Sequence, residues 1–276
     1  MTQAILSKRG AVWLDALTRS APLQSGYPAS VRVVDAQLGG EPARYIAVVP
    51  DPDNAFPRAR SGEVGLVEGW ELARAVREVV AADADKSVKR PIVAVVDVAS
   101  QAYGRTEEAY GIHQALAAAA DAYASARLAG HPVIALIVGR AMSGAFLAHG
   151  YQANRIIALA DPQVMVHAMG KESAARVTLR SVAALEAFAA NVPPMAYDID
   201  NYASLGLLWK LLHVDAPDAP TRSDQDTVEK TLGDALADIR KDASRGLESR
   251  LHAAHRTASR TVREKLREQW EQREHA

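Results

Sequence analysis

The sequence predicts an α/β fold built around a parallel sheet. Two segments, 92–96 and 133–138, are apolar throughout, which is typical of strands buried on both faces. An alanine-rich segment lies between them and predicts a long helix over about 107–129, which Gly130 ends. Because a strand, a helix and a strand follow one another, we expect a right-handed crossover between parallel neighbours.

Local patterns predict the elements around this central unit. Valines from 31 to 34 lead into the turn pair Gly39-Gly40, and 45–49 returns, which predicts a hairpin. The other predicted elements are a helix over 2–19, a helix over 66–82, short strands at 155–160 and 164–168, and a helix over 172–190.

The carboxyl-terminal part of the chain is charged and helical in pattern. The segment P-D-A-P-T-R-S-D-Q predicts a linker, and apolar residues then recur every three or four positions: Val228, Leu232, Leu236, Ile239, Leu247, Leu251, Val262 and Leu266. Such a face is expected to dock on another subunit or on the body of the protein. We therefore predict a main domain over 1–214 and a linker with a charged helical arm over 215–276.

Composition excludes several classes of function. The 276 residues carry a formal net charge of −1 and only 5% aromatic residues, which argues against nucleic acid as a partner. The chain has no cysteine, so disulfides and thiolate chemistry are excluded. No apolar run is long enough to span a membrane and the N-terminus lacks a signal-peptide core, so we expect a cytoplasmic protein. The eight histidines do not cluster at metal-ligand spacing, and we predict no protein-bound metal.

The stretch V-I-A-L-I-V-G-R-A-M-S-G-A-F, 133–146, predicts a strand that runs through Gly139 into a helix start at Ser143, Gly144 and Ala145. Helix starts expose backbone N–H groups that favour an anion. The glycine spacing is Walker-like, but Ala145-Phe146 stand where a lysine and a hydroxyl residue belong, which excludes a phosphate-binding loop. Three interpretations stay open: an oxyanion site, a weak nucleophile elbow at Ser143, and small residues that serve only close packing.

A second loop follows the preceding strand. D-V-A-S-Q-A-Y-G, 97–104, offers Ser100, Gln101 and Tyr103, and it is expected at the same sheet edge as the first loop. Asp97 is expected to hold the loop, whereas Tyr103 could donate a proton or merely pack. His149 is expected to face away from Ser143, and His167 is expected either near the site or simply buried.

With these two loops and the long helix between them, the chain resembles the carboxyltransferase branch of the crotonase superfamily. It is most similar there to the γ subunit of biotin-independent malonate decarboxylases. The resemblance covers roughly 30–210 and is most specific over 60–180. It implies a crotonase-like β-β-α spiral, and it implies a homologous β subunit whose surface completes the active site.

The resemblance also implies a reaction. The expected substrate is a malonyl thioester on the phosphopantetheine-type arm of an acyl carrier protein, decarboxylated to an acetyl thioester without a cofactor bound by this chain. The amides of Gly144 and Ala145 correspond to those facing the reacting group. We predict a catalytic role for Gly144, Ala145, Ser143 and Tyr103, and a substrate-binding role for Ser100, Gln101, Gly139 and Met142.

Two departures from the relatives bear on these predictions. Ala141-Met142 replace glycines, and 97–104 has an inserted residue and lacks the relatives' proline, which fits loss of a biotin-binding role. An alternative therefore remains, in which this chain is a non-catalytic half that supports a catalytic partner. A serine peptidase of the same superfamily would need a histidine and an aspartate placed for Ser143, and the spacing gives no support for one.

Overall fold

The computed structural model describes residues 6–242 and 244–274. The predicted helix over 2–19 lies partly outside these ranges. The strands are β1 (Val31–Leu38), β2 (Glu41–Val48), β3 (Ile92–Val98), β4 (Val133–Met142), β5 (Arg155–Leu159), β6 (Met165–His167) and β7 (Lys210–Leu212). The helices are α1 (Arg9–Thr18), α2 (Leu66–Ala82), α3 (Arg105–Ala109), α4 (Ile112–Leu128), α5 (Ser143–Ala148), α6 (Lys171–Val177), α7 (Val182–Ala189), α8 (Ile199–Ser204), α9 (Arg222–Lys241) and α10 (Thr257–Glu274).

The seven strands form one sheet in the order β1-β2-β3-β4-β5-β7, and β6 pairs with the end of β4. Among the strands of the described residues, β1 and β2 form an antiparallel hairpin and the other strand pairs run parallel. Every residue of β3 is buried, as expected of a central strand covered on both faces. The predicted parallel α/β fold and the predicted hairpin are confirmed.

Helices α2 and α4 pack against each other at very short range. A Cβ added at Gly69 would lie 2.7 Å from the backbone of Ala115, so the absence of a side chain there lets the two helices touch. The predicted helix over 66–82 has these bounds in the structure.

Two predicted helices are each broken in two. The segment 107–129 becomes α3 and α4, because Gly111 adopts a left-handed conformation with φ +81°. The segment 172–190 becomes α6 and α7, with Leu179 at φ +54° between them. Ser181 then caps α7 by accepting the N–H of Ala184 at 3.1 Å. Helix α8 and strand β7 have no counterpart among the predicted elements, because both are too short to produce a periodic pattern.

The predicted linker is partly helical, because Thr221 starts α9 within it. The side chains and backbone N–H groups of Thr221 and Asp224 exchange hydrogen bonds as a capping box. Val228, Leu232 and Leu236 of α9 are buried in the main core, whereas Val262 and Leu266 of α10 are more than half exposed. The division between 214 and 215 stays a prediction. Within the described ranges, no helix combines the length and apolarity needed to cross a membrane.

Candidate active site at the carboxyl ends of β3 and β4

The two loops singled out in the sequence meet at one edge of the sheet. The backbone N–H of Gly144, at the start of α5, donates a hydrogen bond of 2.8 Å to the side-chain oxygen of Gln101. A Cβ added at Gly144 would lie 3.3 Å from that oxygen and 3.4 Å from Leu116. Gln101 therefore already occupies one of the two amides predicted to bind an oxyanion.

Backbone geometry at the start of α5 is unusual. Ser143 has φ +57°, a left-handed conformation that non-glycine residues seldom adopt and that often occurs at functional sites. This turn joins β4 directly to α5. Ala145 is fully buried. Its N–H lies in the first turn of α5, where backbone N–H groups have no carbonyl acceptor within the helix.

The loop that carries Gln101 is held by backbone bonds. Val64 donates its N–H to the Ser100 carbonyl at 3.0 Å, and its own carbonyl accepts the Ala102 N–H at 2.8 Å. The Ser100 hydroxyl donates to the Gln101 backbone carbonyl at 2.8 Å. These hydrogen bonds hold the backbone at Gln101 in place, and the Gln101 side chain extends from there to Gly144.

Asp97 has the structural role that the sequence predicts. Its buried carboxylate accepts the N–H of Arg140 at 3.1 Å and that of Gly10 at 3.3 Å, and it also accepts the Ser7 hydroxyl. A Cβ at Gly139 would lie 2.2 Å from an oxygen of Asp97. Gly139 thus allows the carboxylate to approach the strand, and both residues line a cavity of about 690 Å³ beside the N-terminal segment.

A different cavity, of about 340 Å³, lies beside the α5 start. Ser143 and Gly144 line it together with Phe146, Tyr151, His167 and Tyr202, and most of its other lining residues are apolar. Such a lining suits the aliphatic part of a ligand, with polar groups concentrated at one wall. The Tyr202 hydroxyl is buried and finds no hydrogen-bond partner among the described residues.

The other predicted site residues are dispersed. Met142 packs in a small cluster with Ala174, Ala175, Leu185 and Tyr197. The Tyr103 side chain is 55% exposed. The structure thus brings Ser143, Gly144 and Gln101 together, with Ala145 buried next to them. It places Gly139 and Met142 in packing positions and Tyr103 at the surface.

For His167 the sequence left two interpretations open, a place near the site or simple burial. His167 lies opposite Met142 in the β4–β6 register. Met142 is the last residue of β4 and immediately precedes Ser143. Its ring stacks on Tyr197 with centroids 3.9 Å apart, and Nδ1 lies 3.0 Å from the Met169 carbonyl. Burial lowers the pKa of His167, and the Met169 carbonyl offsets part of that shift. In the sequence, the feature that points to His167 is the predicted short strand over 164–168, which contains it.

The sequence predicts that His149 faces away from Ser143, and in the structure His149 does not line the cavity beside Ser143. It is fully buried, with Nδ1 3.1 Å from the Tyr123 hydroxyl and Nε2 3.1 Å from the Val95 carbonyl. A carbonyl can only accept, so Nε2 carries the proton and Nδ1 accepts from Tyr123. Burial lowers the pKa of His149 to about 4. Residues 6–242 and 244–274 contain no group of three His, Asp or Glu side chains that could hold a metal ion.

Solved structures establish the class of fold. The chain resembles the transcarboxylase 12S subunit with a TM-score of 0.63 at 19% identity, over 86% of this chain and 41% of that one. This likeness shows the fold alone: a parallel sheet with loops at the carboxyl ends of its strands. The predicted crotonase-like fold class is confirmed.

Closer relatives define the family. The family described as malonate decarboxylase gamma subunit matches residues 59–270, so the chain belongs to this family. It is similar to a chain of a Pseudomonas malonate decarboxylase hetero-tetramer in complex with coenzyme A. That match has 65% identity, 95% and 99% coverage of the two chains and a TM-score of 0.92.

Two further relatives agree with this family. A chain of the Pseudomonas malonate decarboxylase MdcD-MdcE hetero-dimer is 63% identical, over 96% of this chain and 100% of that one, with a TM-score of 0.89. The malonyl-S-ACP:biotin-protein carboxyltransferase of Malonomonas rubra is 34% identical over 220 residues, which are 78% of this chain and 72% of the relative. The resemblance stated from the sequence is confirmed.

Proposed function

We propose that this chain is the γ subunit of a carboxy-lyase that decarboxylates a malonyl thioester on an acyl carrier protein. Its partner is a homologous β subunit, and the reaction takes place where the two meet. The names of the relatives support both points: one is a hetero-dimer, and another acts on malonyl-S-ACP. The absence of cysteine agrees with a cytoplasmic location.

One observation carries the catalytic part of the proposal: the N–H of Gly144, a residue that lines the 340 Å³ cavity, donates to the side-chain carbonyl oxygen of Gln101. The Gln101 side-chain oxygen stands in for the thioester oxygen of the substrate. An amide that binds one sp² oxygen in this direction is oriented to bind another. When substrate enters, its oxygen replaces Gln101, and Ala145 supplies the second donor.

Such donors are suited to this reaction. When the malonyl thioester loses carbon dioxide, the electron pair of the broken C–C bond moves into an enolate whose charge rests on the thioester oxygen. One preorganised donor at such an oxygen is worth about 3–4 kcal/mol. The apolar walls also solvate a carboxylate poorly, which favours its departure as neutral carbon dioxide. These steps need no biotin, although the Malonomonas relative is named for a biotin-protein acceptor.

A second candidate function is a scaffold that supports a catalytic β subunit. The hydrogen bond between Gly144 and Gln101 also favours this function, because a Gly144 amide permanently held by Gln101 is unavailable to substrate. The two functions differ in whether the Gly144 N–H contributes to turnover.

The test compares Gly144→Pro with Gly144→Ala in the complex with the β subunit. Proline removes the N–H and is tolerated in the first turn of a helix, whereas alanine keeps the N–H. We expect Gly144→Pro to reduce kcat for malonyl-ACP by about 10²–10³-fold, with Gly144→Ala near wild type. Size-exclusion chromatography must show both complexes intact. Equal activity of the two variants would establish the scaffold function.

A further inference from the structure

Decarboxylation consumes a proton. The malonyl thioester carboxylate leaves as carbon dioxide, and the remaining enolate becomes an acetyl thioester only when its carbon gains a proton. Backbone amides stabilise the enolate oxygen but do not give up their protons. A side chain or a water molecule must therefore supply the proton to the carbon.

His167 is the imidazole that lines the 340 Å³ cavity beside Ser143 and Gly144. The other titratable side chains lining that cavity are the phenols of Tyr151 and Tyr202. Imidazole is the side chain that both gives and takes up a proton near neutral pH. His167 is therefore chemically the best donor on this wall.

The position of His167 is fixed by its neighbours. Strand β6 places it opposite Met142, so the imidazole enters the cavity from the strand beside the Ser143 turn. Stacking on Tyr197, with 14° between the ring planes, sets the plane of the imidazole. Nδ1 lies 3.0 Å from the Met169 carbonyl, to which it donates when protonated, and 3.2 Å from the Met169 N–H, from which it accepts when unprotonated. No described residue hydrogen-bonds Nε2.

We propose that His167 donates the proton that converts the enolate to the acetyl product, a step that rests on the function proposed above. In the imidazolium form, Nδ1–H donates to the Met169 carbonyl and Nε2–H lies free for the substrate carbon. The N–H bond at Nε2 breaks as the new C–H bond forms. The neutral ring keeps its Nδ1–H on Met169, and water then returns a proton to Nε2.

This role predicts a pH dependence. The donor is the protonated ring, and burial lowers its pKa, so turnover should fall as pH rises through the pKa of His167. A cation and an anion from α6 also lie near this wall: the Lys171 ammonium lies 5.5 Å from the Tyr197 ring centroid, and burial together with the Glu172 carboxylate raises the pKa of Tyr197. Other titratable groups on the surrounding elements are Tyr151 and Tyr202 of the cavity lining, Arg140 opposite Met165 on β4, Asp200 on α8, and Asp198, which bridges to Met165.

The experiment uses the complex of the full chain with its β subunit and the variant His167→Asn. Asparagine can still donate to the Met169 carbonyl but cannot transfer a proton. The matched control is His113→Gln, on the exposed face of α4. One readout is decarboxylation of malonyl-ACP. The other is the rate at which solvent deuterium exchanges into the methyl group of acetyl-ACP. This rate measures the proton transfer separately from decarboxylation.

We expect His167→Asn to lower the exchange rate and kcat by about 10²–10⁴-fold, with KM within about threefold of wild type and the falling limb of the pH profile lost. Added imidazole should restore exchange in His167→Ala, which a purely structural role would not produce. Exchange by His167→Asn within threefold of wild type would overturn the inference. If the wild-type complex fails to decarboxylate malonyl-ACP at all, the proposed function fails instead.

Discussion

The side-chain oxygen of Gln101 accepts the backbone N–H of Gly144 at 2.8 Å, across the edge where β3 and β4 end. The residues are 43 positions apart in the chain, and each follows a different strand. The contact shows that the amide is directed at a carbonyl-type oxygen. It also shows that a substrate must displace a group of this chain before it can use that amide.

Gln101→Met should lower the KM for malonyl-ACP about fivefold and leave kcat within twofold. Methionine has nearly the shape of glutamine but cannot accept the Gly144 N–H, so substrate no longer competes with a hydrogen bond worth about 1 kcal/mol. Steady-state kinetics of the complex measure the effect, with the exposed Gln114→Met as the control. A rise in KM would show that Gln101 itself binds the substrate.

Gly139→Ala should destabilise the protein by at least about 2 kcal/mol, because the new Cβ would lie 2.2 Å from the buried Asp97 carboxylate. Gly233→Ala in α9 is the matched control, since a Cβ there meets nothing within 4 Å. It should stabilise the helix by about 0.5–1 kcal/mol. Urea unfolding measures both free energies of unfolding. Equal effects of Gly139→Ala and Gly233→Ala would contradict the packing role of Gly139.

His149 should make the protein sensitive to acid. Its pKa is about 4 in the folded state and about 6.5 when unfolded, so the unfolded chain binds the extra proton between these values. The stability that its neutral form contributes is complete above pH 6.5 and is lost as pH falls to 4, by about 3 kcal/mol in total.

His149→Gln isolates this contribution, since glutamine can accept from the Tyr123 hydroxyl and donate to the Val95 carbonyl without titrating. The difference in unfolding free energy between pH 7.5 and pH 5 should be smaller in the variant than in the wild type. The remaining titratable groups are the same in both proteins and cancel. Identical pH slopes would show that His149 is not protonated on unfolding.

Leu232→Ala in α9 should cost about 2–5 kcal/mol, because Leu232 is fully buried in the main core. Leu266→Ala in α10 should change the unfolding free energy by less than about 0.5 kcal/mol, because Leu266 is 61% exposed. Chemical denaturation of the chain measures both. A comparable cost at the two leucines would mean that α10 also packs on the core.

Much of the fold could be predicted from the sequence. The buried strands β3 and β4 are continuous apolar runs, and the apolar residues of α2 recur at helical spacing, so the local pattern identifies them. The breaks at Gly111 and Leu179 were missed because residues on both sides of each break favour a helix. Nothing in the local pattern marks Leu179, whose φ is +54°, as left-handed.

The family, the parallel sheet and the two loops whose residues meet at its edge can all be read from the amino-acid pattern. The succession of strands along the chain and the residue types carry this information, because parallel strands bring their carboxyl ends together. Which groups touch is visible only in the folded chain: Gln101 on the Gly144 amide, Gly139 against Asp97, and His167 in the cavity wall. These contacts depend on distances between segments far apart in the chain, which no local pattern of residues encodes.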